Sequence, residues 1–265
     1  MRFLNIAVET DGVVARVALN RPEVRNAFDD LTIAELAEYF TSVTFETSLR
    51  AILLQGAGDC FCAGADVTWM QRTINYSEMA NVQDAQKLSL MLRAVNDCPI
   101  PVIARVQGAA LGGGAGLIAC CDIVVAADDA KFGFTEAKLG IVPAVISPFV
   151  MAKIGTSYAR ALFMTAQRFS AETALRIGLI HAITPPDAMD SAVEEVLREI
   201  RSSGPMAVKE TKRLLARVVG QSPKEAFDFT TRTIARVRTS PEGQEGLRAF
   251  LDKRKPSWMA EDGSG

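Results

Sequence analysis

Two stretches of small residues are the first places in this 265-residue chain where chemistry could happen. They are GAGDCFCAGADVTWM (56–70) and QGAALGGGAGL (107–117). Each follows an apolar run and leads towards a helical pattern, so each exposes backbone N–H groups where a helix begins. Two converging N–H groups are what a developing oxyanion needs. Small side chains let a ligand oxygen come close to those amides. Either loop alone would also suit tight helix–sheet packing, where glycine only removes bulk. Two such loops in one chain weigh towards chemistry.

The usual side-chain chemistries find little to stand on. The single histidine, His181 in GLIHAIT, reads as structural, so a histidine triad or a histidine-rich metal site is not expected. The glycine run lacks the lysine of a phosphate-cradling loop, and no GxGxxG spacing occurs within 108–116. Cys60, Cys62, Cys98, Cys120 and Cys121 are odd in number, form no CxxC pair and include two neighbours. They read as reduced, buried thiols, and no metal is expected. A net charge of −2 offers no broad footprint for nucleic acid or a membrane, although DKRKP near the C-terminus is a local basic patch. Glu9 and Asp11 fall where a signal peptide needs an apolar core, and the uncharged run 106–121 is too short and glycine-rich to span a bilayer. A soluble cytoplasmic protein is expected.

The elements that must position the loops follow from hydrophobic period. Strand-like runs at 13–19, 51–56, 101–108 and 122–127 alternate with helical patterns such as 30–44 and 78–97. In the latter, Met79, Val82, Leu88, Met91, Leu92 and Val95 fall largely on one face. This alternation predicts an α/β core with a largely parallel sheet. The second half reads as helices over about 145–166, 171–177, 187–202, 205–219, 223–238 and 241–252, with SSGP and QSP as punctuation. A core over 1–195 followed by a helical region over 196–265 is expected, ending in a disordered EDGSG tail.

At the two loops the sequence resembles the enoyl-CoA hydratase/isomerase (crotonase) family. The resemblance runs through LNRPEVRNAFD (19–29), FCAGADV (61–67), VQGAALGGGAGLIACCDI (106–123), KFGFTEAKLGIVPA (131–144) and EGLRAFLDKRKP (245–256). It implies a crotonase-like spiral of ββα turns with a C-terminal helical trimerisation region, assembled as a homotrimer or a dimer of trimers. It implies an acyl-CoA substrate, with coenzyme A as part of that substrate and no other cofactor. The amides of Ala65 and Gly113 would form the oxyanion hole for the thioester carbonyl. Ala63 and the run Ala65, Asp66, Val67 and Thr68 would border the acyl-CoA path. Arg25 and Ala27 would meet the adenine and phosphates, and Lys253, with Arg254 beside it, the 3′-phosphate. A solvated basic tail is the alternative for those last two.

Family hydratases carry two glutamates. Here one matches Glu136, while Gly116 stands at the position of the other. Water addition to an α,β-double bond would then fall to one carboxylate that both positions water and shuttles the proton. GGGAGLIACCD, PAVISPFV and SPEGQEGLRAFLDKRKPSW resemble the branch that hydrates 3-methylglutaconyl-CoA and isohexenylglutaconyl-CoA in leucine and acyclic terpene breakdown. Such substrates bring their own carboxylate, and the expectation is that it uses space freed at Gly116. Two alternatives stay open. One is a Δ3-Δ2-enoyl-CoA isomerase with Glu136 as sole proton shuttle; the other is a non-catalytic acyl-CoA-binding partner subunit. SPFVMAKIG (147–155) and 68–82 are the expected walls of the acyl pocket.

Overall fold

The computed structural model describes residues 3–46 and 48–259. The EDGSG stretch lies outside them. The chain divides into two compact units: one is built from the chain up to Cys98 with Val102–Val193, the other from Pro99–Pro101 with the chain from Glu194 onward.

Among the described residues the strands are β1 (Ile6–Asp11), β2 (Val14–Leu19), β3 (Ala51–Gly56), β4 (Val102–Val106), β5 (Ala109–Leu111), β6 (Ile123–Ala127), β7 (Lys131–Gly133), β8 (Arg168–Ser170) and β9 (Ala182–Thr184). The larger sheet runs β1-β2-β3-β4-β6-β9, and the smaller β5-β7-β8. Only β1–β2 in the larger sheet is antiparallel; the other four pairings are parallel. That explains the composition of β3 and β4. Central parallel strands are covered on both faces, so they read as continuous apolar runs, and Ile52, Leu54, Val102, Ile103 and Ala104 are fully buried.

The helices are α1 (Asp30–Ser42), α2 (Val67–Thr73), α3 (Glu78–Asn96), α4 (Gly113–Ala119), α5 (Ser147–Thr165), α6 (Ala171–Arg176), α7 (Met189–Ser202), α8 (Pro205–Val218), α9 (Pro223–Thr239) and α10 (Pro241–Leu251). Local chemistry sets their starts. Asp29 accepts from Thr32 N to cap α1, Ser222 and Glu225 form a capping box on α9, and Pro opens α8, α9 and α10. The expected apolar face of α3 is only half used. Met91, Leu92 and Val95 are fully buried, whereas Met79 is 67% and Val82 44% exposed, because only the last turns of the helix reach the core.

In the second unit, Glu242 of α10 accepts from Met206 N and Ala207 N, both at 2.8 Å, and so caps α8. Trp258 Nε1 donates to Ser202 O at 3.0 Å. Among the described residues no helix is long and apolar enough to cross a membrane. Nor does any group of three or more His, Cys, Asp or Glu side chains there stand ready for a metal ion.

Candidate active site

The segment after β3 is stitched to the chain on both sides. Phe61 N donates to Gln107 O and Cys62 N to Ala109 O, while Leu111 N donates to Cys62 O. The next residues turn to the other neighbour. Ala63 N donates to Arg25 O at 3.0 Å, Phe28 N to Gly64 O at 2.7 Å, and Asp66 N to Phe28 O at 2.8 Å. Phe28 thus spends both its N–H and its C=O on the two neighbours of Ala65, the pattern of a parallel bridge. Ala65's own N–H is left with no acceptor among the described residues.

The second loop is held by the smaller sheet. β5 pairs with β7, and the ladder continues one residue further as Gly112 N donates to Gly133 O at 2.8 Å. At Gly112 the chain turns with φ +49° and ψ −118°, a conformation that favours glycine. It then enters α4, whose first residue is Gly113. A first-turn amide has no partner within its own helix, and that of Gly113 has no acceptor among the described residues.

The same ladder delivers Glu136. Phe132 and Phe134 alternate into the core, where Phe134 packs edge-on against Phe163 at 4.9 Å. Two residues on, Glu136 opens a short 3-10 turn (Glu136–Leu139). A Cβ built on Gly112 would stand 3.3 Å from Glu136 Oε1, so a side chain there would crowd the carboxylate. Glu136 Oε2 is buried without a hydrogen-bond partner among the described residues. Burial pushes the carboxyl above its ordinary value, with only a backbone N–H pulling the other way.

One cavity of about 460 Å³ is bordered by Ala63, Ala65, Gly113 and Glu136 together. Trp69, Met70 and Thr73 of α2 and Asn81, Asp84 and Leu88 of α3 form a second wall; Leu139, Ile141 and Val145 form a third. Of the segment 68–82, Trp69, Met70, Thr73 and Asn81 line the cavity and the others do not. The expectation for 147–155 fails: none of those residues lines the cavity, and Val150 and Ile154 are core. Asp84 was missed. Its signal is the spacing Asn81, Asp84, Leu88, which puts three positions on one helical face. The lining holds the acids Asp84 and Glu136 and no Lys, Arg or His.

Two expected substrate contacts have protein neighbours of their own. The space expected to be free at Gly116 is occupied. A Cβ on that glycine would lie 2.2 Å from Ile146 Cγ2, so the space left by the missing side chain is filled by isoleucine, and Gly116 does not border the cavity. Asp66 is not a free contact either. Its carboxylate caps α2 by accepting from Thr68 N (2.8 Å) and Trp69 N (3.2 Å), and it pairs with Arg21 Nη2 at 2.9 Å. Burial would raise its pKa, but the Trp69 N–H, the Arg21 guanidinium and the Thr68 N–H outweigh burial and hold the carboxyl below its usual range.

The remaining candidates lie around the rim or elsewhere. Arg25 is exposed, in a left-handed conformation with φ 54°. Ala27 is buried and its carbonyl accepts from Arg21 Nη1 at 2.8 Å. Val67 and Thr68 are exposed at the start of α2 and do not border the cavity. Lys253, in the second unit, is exposed with no ion pair among the described residues, whereas Arg254 is held by both carboxylate oxygens of Glu245. His181 is structural: its Nδ1 accepts from Val124 N at 2.9 Å, and burial, with Lys153 nearby, lowers its pKa.

Two residues with unpaired amides line one cavity together with Glu136, whose buried Oε2 has no partner among the described residues. Unpaired amides are the groups that suit a carbonyl oxygen on which charge builds, and a carboxylate is a group that suits proton transfer. The chain belongs to the enoyl-CoA hydratase/isomerase family, whose model matches residues 9–261. It is 32% identical over 261 residues to the short-chain-enoyl-CoA hydratase of Clostridium acetobutylicum, covering 96% of this chain and 97% of that protein. It is 31% identical over 262 residues to the crotonyl-CoA hydratase of Syntrophomonas wolfei, covering 98% and 100%. The crystal structure of an enoyl-CoA hydratase from Shewanella pealeana superposes with a TM-score of 0.93 at 37% identity, covering 97% of each chain. The fold is crotonase-like.

Proposed function

We propose that the protein is an enoyl-CoA hydratase that works with one carboxylate. The observation that carries the reading is the meeting of the free Ala65 and Gly113 amides and Glu136 on one cavity. The thioester oxygen accepts from both amides. Glu136 holds a water at Cβ and draws its proton as the C–O bond forms. The electron pair moves towards the thioester oxygen as an enolate, and Glu136 returns a proton to Cα. Loss of one oxyanion donor in such a site lowers turnover by about 10²–10³-fold. Arg25 supplies a cation for the coenzyme A phosphates, and the assembly is a trimer or a dimer of trimers.

The filled space at Gly116 favours a second reading, Δ3-Δ2 isomerisation, because moving a double bond needs only one base. The glutaconyl-type substrate rests on the resemblance of three stretches of sequence. The cavity wall opposes it, since it sets Asp84 and no cation opposite a distal carboxylate. Rates on crotonyl-CoA, 3-hexenoyl-CoA and 3-methylglutaconyl-CoA, each with wild type and Glu136→Gln, separate these readings. Hydration of crotonyl-CoA that vanishes with Glu136→Gln is the expected result. Double-bond migration without hydration would replace the proposal with the second reading. Preference for 3-methylglutaconyl-CoA would establish the narrower substrate. No turnover of any of them, with CoA thioester still bound, would leave a non-catalytic acyl-CoA-binding subunit.

A further inference from the structure

The geometry points to Phe28 as the residue that sets the distance between the two oxyanion amides. This inference rests on the Ala65–Gly113 reading above and adds a positioning residue to it. Phe28 reaches both loops through different atoms. Its main chain holds the first loop, with Phe28 N on Gly64 O and Asp66 N on Phe28 O, one bond on each side of Ala65. Its side chain meets the second loop: a Cβ built on Gly113 would lie 3.1 Å from Phe28 Cδ2 and 3.4 Å from Cε2.

Phe28 is itself held. It is 1% exposed. The guanidinium of Arg21 ties the segment down on three sides, donating to Ala27 O at 2.8 Å and pairing with Asp66 at 2.9 Å and Asp29 at 3.2 Å. The ring is therefore a rigid strut. Its backbone end is bonded around one donor and its edge rests against the backbone that carries the other. No other described residue both bonds to the two neighbours of Ala65 and stands within 4 Å of a Cβ built on Gly113. Oxyanion donors work only when both lie within hydrogen-bond reach of one oxygen, and an error of about 1 Å in placement can cost about 10²-fold in rate. Shortening the strut lets the loops close; adding bulk at Gly113 forces them apart.

The test reads the hole directly. Hydrogen bonds to the oxygen of a conjugated thioester draw electron density along the chain and move its absorption to longer wavelength. 2,4-Hexadienoyl-CoA is bound to the full-length protein in a Glu136→Gln background, so that the readout does not depend on turnover. Phe28→Leu and Gly113→Ala should each shrink the red shift by half or more. In proteins that retain Glu136, each should lower kcat at least tenfold while KM changes less than about threefold. The double variant should recover part of both losses, because the smaller side chain makes room for the new methyl group. A full red shift in a folded Phe28→Leu protein overturns the inference alone. If Phe28→Leu does not fold, a full shift in Gly113→Ala overturns it. Additive losses in the double variant do the same. No red shift in the Glu136→Gln parent with the probe bound overturns the amide reading, and the inference with it.

Discussion

Asp66 and Glu136 are two acids in the same situation and with opposite fates. Each stands at the start of a short helical segment, and each adjoins the loop that carries a candidate oxyanion donor. Asp66 is satisfied by two backbone N–H groups and Arg21, and its pKa is lowered. Glu136 keeps one buried oxygen with no partner among the described residues, and its pKa is raised. An acid at a helix start is favourable for electrostatic reasons alone. The difference teaches that an unpartnered buried oxygen, and not the position, sets Glu136 apart as the candidate acid–base group.

The contrast can be broken or sharpened by measurement. The largest effect is expected from Glu136→Gln, which should lower hydration of crotonyl-CoA by about 10³-fold and leave thioester binding within a few fold. An equal loss in Asp66→Asn with Glu136→Gln still active would reverse the assignment. Asp66→Ala should instead act on stability, by about 2 kcal/mol in urea unfolding, because it removes a helix cap and one of the two carboxylates that pair with Arg21. Gly116→Ala should cost about 2 kcal/mol through overpacking against Ile146, and kcat measured well below the unfolding temperature should change little.

Smaller effects test the signs. Because the folded value of Glu136 is raised, its contribution to stability is present below about pH 4.5 and is lost as pH rises through the folded value. Glu136→Gln should therefore be more stable than the wild type at neutral pH, by about 1 kcal/mol, opposite in sign to Asp66→Ala. The acid limb of kcat/KM should rise with pH through an apparent pKa above the ordinary glutamate value, since the base must be ionised. Asp66, with a lowered value, contributes stability above about pH 3.8 that is lost only as the solution becomes strongly acid. The smallest effect concerns His181. Its folded value is lowered, so stability should decline as pH falls below about 6.5, and His181→Gln should flatten that slope in thermal melts.

Much of the site was legible because its markers are local. The two runs of small residues, the strands that feed them and the helix starts all lie within windows of ten to fifteen residues. Glu136 came into view through family resemblance, and its ladder to Gly112 through β7 could not be read from either stretch alone. What stayed hidden depends on distant partners. Gly116 reads as a vacancy until Ile146, thirty positions later, is found inside it. The ion pair that holds Asp66 comes from Arg21, forty-five positions earlier. The three-residue strands β5, β7, β8 and β9 are too short to show a period, and Asp84 was lost among the polar positions of a helix valued for its apolar face.

Gly116 and Ile146 also limit where this chain can travel in sequence space. An acid at 116 needs Ile146 to shrink first, because its Cβ alone would overlap the isoleucine. Shrinking Ile146 first opens a hole in packed core, at about 2–5 kcal/mol for an alanine. Making the exchange in the other order buries a charge against an aliphatic side chain. Both single-step neighbours are less stable than the starting point, so a two-acid descendant lies across a valley of destabilised intermediates. Substitutions that keep Gly116 and alter the α2–α3 wall meet no such barrier. Diversification by small steps should therefore change which acyl group is accepted long before it changes how many carboxylates do the work.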